Sequence, residues 1–185
     1  MSLSNVSILL DQETIPGEVE KFLGDLVGEV ERHRTKVPAG YRGFVPSDYR
    51  KLYSVLRLIE RKRLTCGMKF CEWGSGIGVA TMIASMVGFE AHGIEIDPAL
   101  VKVAGRLSHQ HGLAVNIACG SFIPEGVDDL IDLAFAENDG SISMVTEAVD
   151  AYSELGLEID EFDIVFCFPW PTDETLTAEI FERCA

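Results

Sequence analysis

Residues 68–78 read Met68-Lys69-Phe70-Cys71-Glu72-Trp73-Gly74-Ser75-Gly76-Ile77-Gly78. A short apolar run leads into three glycines at alternate positions. From Val79 to Val87 the apolar residues Val79, Met82, Ile83, Met86 and Val87 recur at helical spacing. Gly88 then stands where a helix C-terminus favours glycine. A second apolar run, Phe89 to Ile96, closes with Gly93-Ile94-Glu95-Ile96-Asp97-Pro98. The order is strand, glycine turn, helix, strand, acid. That unit is long enough for one right-handed crossover between parallel strands.

Each part has a chemical use. Glycine lets the backbone approach a ligand closely and adopt dihedrals closed to other residues. The turn feeds a helix N-terminus, where free N–H groups and the dipole favour a polar or anionic group. Glu95, about 20 residues on, stands where an acid accepts both hydroxyls of a ribose. The pattern predicts a nucleoside-bearing ligand across the carboxyl ends of the strands.

The dinucleotide fingerprint wants Gly or Ala three residues after its second glycine. Counted from Gly76, that position is Val79, which disfavours a nicotinamide oxidoreductase. Here the third glycine is Gly78, and Glu72 precedes the first by two. This apolar-apolar-acid-apolar-Gly-x-Gly-x-Gly run resembles the first motif of class I S-adenosylmethionine-dependent methyltransferases. In that family the glycine loop wraps the methionine part of the cofactor, and the leading acid fixes its amino group. The resemblance gives these roles to Glu72, Gly74, Gly76 and Gly78, and the ribose to Glu95 with Ile96 beside it. The alternative is an ordinary α/β turn with a surface acid.

The chain has 185 residues and a net charge of −15. It is long enough for one domain with a substantial core. No apolar run approaches the roughly 20 residues of a membrane span, and no signal peptide is apparent. The five cysteines, Cys66, Cys71, Cys119, Cys167 and Cys184, form no Cys-x-x-Cys pair. Reduced thiols in a cytoplasmic protein are expected. Residues 31–69 hold 11 Lys and Arg against three acids, whereas residues 120–185 hold 17 acids against Arg183 alone. The whole chain should repel nucleic acid. The basic segment is either a contact for a phosphate or an anionic substrate, or a charged face that is solvated or attracts the acidic one.

Residues 1–66 read as an N-terminal helical segment and lid, and residues 67–185 as the cofactor-binding part. Val6 to Leu10 is a short strand or a loose start. From Pro16 to Arg34 the apolar residues follow a helical period. A second helix runs from an N-cap at Ser47 to about Arg63. Between them lies a loop with two glycines, two prolines and two aromatics. By analogy with the family, Tyr41, Phe44 and Tyr49 are lid and substrate candidates; the alternative is aromatics tucked into a core edge.

Pro98 to His111 predicts a crossover helix capped by Asp97, and Leu113 to Cys119 a third strand. His109 and His111 are two apart and share no helix face, so no metal site is expected. The turn Gly120-Ser121-Phe122 falls where the family contacts adenine. Ser121 stands where many members have an acid, and Phe122 adds backbone support. Residues 123–161 look like an acidic insertion with helices over 127–135 and 143–155. The fourth strand, Phe162 to Phe168, precedes Pro169-Trp170-Pro171. Amino-methylating members end this strand Asp/Asn-Pro-Pro-aromatic. Phe168 replaces the polar residue, which disfavours DNA base methylation, while Pro169 and Trp170 stay substrate candidates.

The expected fold is α/β and Rossmann-like, a three-layer sandwich whose mostly parallel sheet has four readable strands in the order 3-2-1-4. The family order is 3-2-1-4-5-7-6. The fourth strand therefore has an open flank, which predicts a homodimer through that edge or cover from Val6–Leu10. The leading function is S-adenosylmethionine-dependent methyl transfer to a small molecule or protein. The alternative is a non-catalytic S-adenosylmethionine-binding module. No catalytic base is named by the sequence.

Overall fold

The computed structural model describes residues 6–7, 9–10, 14–34, 46–124, 126–127, 129–132, 150–168 and 174–184. Tyr41, Phe44, Pro169 and Trp170 lie outside the described residues, as do residues 133–149 of the acidic insertion.

Four strands form one sheet: β1 (Lys69–Trp73), β2 (Glu90–Glu95), β3 (Val115–Cys119) and β4 (Ile164–Cys167). All pairings are parallel, in the order β3-β2-β1-β4. The helices are α1 (Gly17–Arg34), α2 (Tyr49–Lys62), α3 (Val79–Val87), α4 (Pro98–His111), α5 (Ala151–Leu155) and α6 (Glu174–Cys184). A 3-10 turn spans Ile159–Glu161. This is a Rossmann-like sheet, in the order expected for the first four strands of a class I methyltransferase-like fold.

Local hydrogen bonds explain where the elements begin. β3 starts at Val115 rather than Leu113, because the Leu113 N–H closes α4 on the Ser108 carbonyl at 3.0 Å. β4 starts at Ile164 rather than Phe162, whose N–H closes the 3-10 turn on Ile159. Asp163 joins the two central strands at their start. Its N–H donates to the Lys69 carbonyl, and its Oδ2 accepts from the Lys69 N–H, both at 2.9 Å. The cap of α2 is Asp48, not Ser47: Asp48 Oδ1 accepts from the Lys51 N–H at 3.0 Å. Asp97 caps α4 as expected, with Pro98 in the first turn. In the helix expected over 143–155, the described part starts at Ala151 and is capped by Asp150.

Alternation along β1 sorts its side chains between two layers. Phe70 joins Val19, Phe22 and Leu26 of α1, Leu52 and Leu56 of α2, and Met82 and Ile83 of α3. Leu107 of α4 packs in the same layer. Cys71 and Trp73 point the other way, to Tyr152 and Leu155 of α5 and Leu176 and Ile180 of α6. Full burial of each such Leu, Ile or Phe stabilises by about 1.5–3 kcal/mol. Trp73 stacks on Phe122 with ring centroids 5.1 Å apart and meets the edge of Phe181 at 6.3 Å.

The flank of β4 corrects one expectation. Among the described residues β4 pairs with β1 alone, and all four of its residues are half-buried. Val6 and Leu9 are exposed, so neither of these two side chains covers the flank. Ile164 and Phe166 pack into one layer, Val165 and Cys167 into the other. Helices over both faces account for the apolar run; it does not require a second strand neighbour.

From β1 the chain steps outward through β2 to β3, then returns to place β4 on the other flank of β1. Such a reversal opens a crevice at the carboxyl ends of the strands, which is where ligands bind in open α/β sheets.

Candidate functional site

The site is built at the carboxyl ends of β1 and β2. Gly74, Gly76 and Gly78 all have positive φ, at 70°, 56° and 76°. Any other residue would be strained there. A Cβ on Gly74 would meet nothing, so the backbone is open on that side. A Cβ on Gly78 would strike Ile117 Cδ1 at 2.8 Å and Ala104 Cβ at 3.1 Å. The first glycine thus leaves space, and the third lets α3 sit close to β3 and α4.

Two carboxylates stand behind this turn, on the same face of the sheet. Glu72 is 7% exposed and Glu95 8% exposed. Glu72 Oε2 accepts from the Thr81 N–H at 2.8 Å and from the Thr81 hydroxyl at 2.6 Å. Glu95 Oε2 accepts from the Gly76 N–H at 2.7 Å, and Oε1 from the Asp97 N–H at 2.9 Å. Gly93 lies across from Glu72 in the β1–β2 register. A side chain at Gly93 would begin 2.8 Å from Thr81 Oγ1 and 3.0 Å from Ser75 Oγ. That gap is what allows the hydroxyls to crowd in beside the acids. The Ser75 hydroxyl is buried and has no hydrogen-bond partner among the described residues.

Burial pushes the Glu72 carboxyl up to about 8, against the two Thr81 hydrogen bonds and with a further push from the Glu95 charge. Glu95 is raised by burial too, opposed by the Asp97 and Gly76 amides. Among the described residues, no lysine, arginine or histidine contributes to the environment of either acid. Tyr49 is the first residue of α2. Burial, and then the Glu72 charge, hold its hydroxyl far above the ordinary phenol range.

Ile96, next to Glu95, is 39% exposed and offers an apolar surface at the end of β2. Ser121 and Phe122 follow β3, whose end is tied to β2 by the Gly120 N–H donating to the Glu95 carbonyl. Ser121 is 4% exposed; its hydroxyl accepts from the Ile123 N–H, and its backbone bridges to Asp150. Phe122 stacks on Trp73, and its carbonyl accepts from the Tyr152 hydroxyl at 2.8 Å. Glu72, the glycines, Glu95 and Ile96 therefore gather at the carboxyl ends of β1 and β2, while Ser121 and Phe122 are held in contacts with α5 and its cap. Phe168, at the end of β4, is 58% exposed.

Sequence reasoning missed Thr81, Ser75 and Gly93. Thr81 reads as a helix-interior residue of α3. Its role appears only when the first turn of that helix is laid against β1. The signal for Gly93 is a glycine inside a strand, which marks a close approach of another segment.

A glycine turn at a helix N-terminus, with two buried acids behind it, forms a candidate ligand site at the carboxyl ends of a Rossmann-like sheet. No protein-family model and no curated protein matches the chain. Among solved structures it is similar to an O-methyltransferase from Bacillus cereus in complex with SAH, at 12% identity and TM-score 0.49, over 94% of this chain and 64% of that one. It is similar to a hypothetical protein of Thermus thermophilus, at 24% identity and TM-score 0.37, over 55% of this chain and 54% of that one. A SAM-dependent methyltransferase from Agrobacterium tumefaciens aligns at 13% identity and TM-score 0.35, over 48% of this chain and 26% of that one. In each case the chain spans less than two thirds of the solved protein.

Proposed function

We propose that the protein binds S-adenosylmethionine and transfers its methyl group to a small molecule or a protein. The observation that carries this reading is the pair of buried carboxylates behind the glycine turn, with no cation beside them among the described residues. A buried carboxylate costs several kcal/mol unless it is paired. A ligand with an ammonium and a sulfonium offsets that cost. The diphosphate of a nicotinamide dinucleotide adds to it. Val79 also stands where the dinucleotide fingerprint wants a small residue, and it is buried.

When bound, the cofactor supplies an electrophilic methyl group on a positively charged sulfur. The chain's own residues bind and orient. Glu72 holds the amino group, the glycine turn receives the methionine part, and Glu95 accepts from the ribose hydroxyls. Ile96, exposed at the end of β2, would offer the cofactor an apolar surface. Tyr49 excludes water on the α2 side, which favours in-line transfer by proximity and desolvation. Titration calorimetry with S-adenosylhomocysteine and with NAD tests the cofactor. Tight binding of the first alone is expected, and preference for NAD would overturn it.

A second reading is a non-catalytic module that binds the same cofactor. Exposed Phe168 favours it, because an aromatic ring stands where amino-methylating enzymes present a polar group to the acceptor. Methyl transfer from labelled cofactor into a cell extract separates the two.

A further inference from the structure

We propose that Glu72 carries a proton in the ligand-free protein and releases it to solvent when a ligand ammonium group docks against it, so that binding at this site is a cation-for-proton exchange. The proposal rests on the cofactor reading above for the identity of the ligand, and on the geometry of the acid for the exchange.

Glu72 sits mid-face under the glycine turn, 7% exposed. What surrounds it can be taken element by element. From α3 it receives only the Thr81 hydroxyl and amide, which are neutral donors. From β2 it faces Gly93 across the register and the charge of Glu95. From α2 the Tyr49 hydroxyl feels the charge of Glu72 and is itself held protonated, by burial first. From β4 its register partner is Phe166, which is apolar. On its own strand the neighbouring Cys71 thiol is also held protonated, by burial first and then by Glu72.

Among the described residues, every titratable group facing Glu72 is therefore either an acid or neutral, and none supplies positive charge. Two acids on one buried face cannot both ionise cheaply. Glu95 is the better stabilised anion, because each of its oxygens accepts a backbone N–H, whereas both donors to Glu72 fall on Oε2. The proton consequently belongs on Glu72, in keeping with a carboxyl pushed up to about 8.

The exchange balances. The protonated carboxyl loses H⁺ to solvent, the ligand ammonium keeps its own protons, and the resulting carboxylate accepts hydrogen bonds from it. The Glu72–ammonium pair is neutral, as the protonated acid was, so no unpaired charge is buried at Glu72 at either stage.

The sign of the pH dependence follows. In the unfolded chain Glu72 titrates near the ordinary glutamate range; in the folded protein it does so near 8. Between those values the native state holds a proton that the unfolded state lacks. The stability from this group is complete below the lower value and is lost as pH rises through the upper one. Ligand affinity runs the opposite way, rising up to about tenfold per pH unit below 8, because less proton must be displaced.

Two measurements test this on the full chain. The first needs no ligand: thermal unfolding from about pH 5 to 8.5 of the wild type and Glu72→Gln, a window set by the ordinary and raised glutamate values. The wild type should lose stability relative to the variant as pH rises, and parallel curves would overturn the proposal. The second is calorimetry with S-adenosylhomocysteine at about pH 6.5 in phosphate and in Tris, whose ionisation heats differ, at a pH where the acid still holds its proton. Release of close to one proton per ligand is expected, and release of none in Glu72→Gln. Binding with the same heat in both buffers would overturn the exchange while leaving the cofactor reading intact. A wild type with the expected stability curve but no binding would overturn the cofactor reading, and the ligand half of the proposal with it.

Discussion

The carboxylate of Glu95 accepts the amide proton of Gly76 at 2.7 Å. The acid at the end of β2 thus fastens the middle glycine of the turn that follows β1. Its other oxygen fastens the start of α4 through the Asp97 N–H. One side chain therefore ties the glycine turn to the start of α4.

This dual role makes Glu95→Ala more damaging than loss of a ribose contact alone. S-adenosylhomocysteine affinity should fall by at least about 1.5–3 kcal/mol, the range for hydrogen bonds to a charged acceptor. Glu95→Gln, which keeps one acceptor oxygen, should lose less. Calorimetric affinities for the three proteins check the order, and equal affinities would remove Glu95 from the site.

Gly76→Val should abolish binding while the circular dichroism of the fold persists. Gly76 sits at φ 56°, where a β-branched residue is strained. Normal binding by the variant would assign the turn a purely structural part.

Gly93→Ala should act on stability before it acts on binding. The added methyl would lie 2.8 Å from Thr81 Oγ1 and 2.9 Å from Ser75 Cβ, both in a buried layer. Overpacking of this kind costs about 1–3 kcal/mol. Urea unfolding should show a lower midpoint at unchanged slope. A variant as stable as the wild type would mean that the turn shifts without penalty.

The β4 flank should make the protein self-associate. Among the described residues it has no strand neighbour but β1, and a free row of backbone groups pairs readily with another chain. Light scattering over a range of concentrations should rise toward a dimer mass. Removal of residues 1–12 should leave that rise unchanged, since Val6 and Leu9 are exposed. A monomer at every concentration would place cover on the flank.

The unit from β1 to β2 was legible because glycines punctuate it and the apolar period changes from strand to helix and back. The parallel order 3-2-1-4 followed from the resemblance of that unit to a known first motif, together with the crossover rule. The cap of α2 was not legible, since Ser47 and Asp48 are adjacent and equally able to cap. The partners of Glu72 were not legible either. Thr81 and Gly93 meet it only through the packing of α3 and the register of β2, which no local pattern encodes. The apolar run of β4 reports its two covered faces and says little about the strand's flank.

β1 gains its two neighbours at different cost in chain entropy. Its pairing with β2 closes a loop of about 20 residues, whereas the Lys69–Asp163 clamp that opens its pairing with β4 spans 94. Closing the longer loop costs about 1.3 kcal/mol more. Contacts so distant in sequence slow folding. The β1–β2–β3 half of the sheet should therefore assemble first, with the glycine turn already fastened by Glu95. β4 should join last, and until then the Phe70-to-Trp73 edge of β1 stands open to any passing strand.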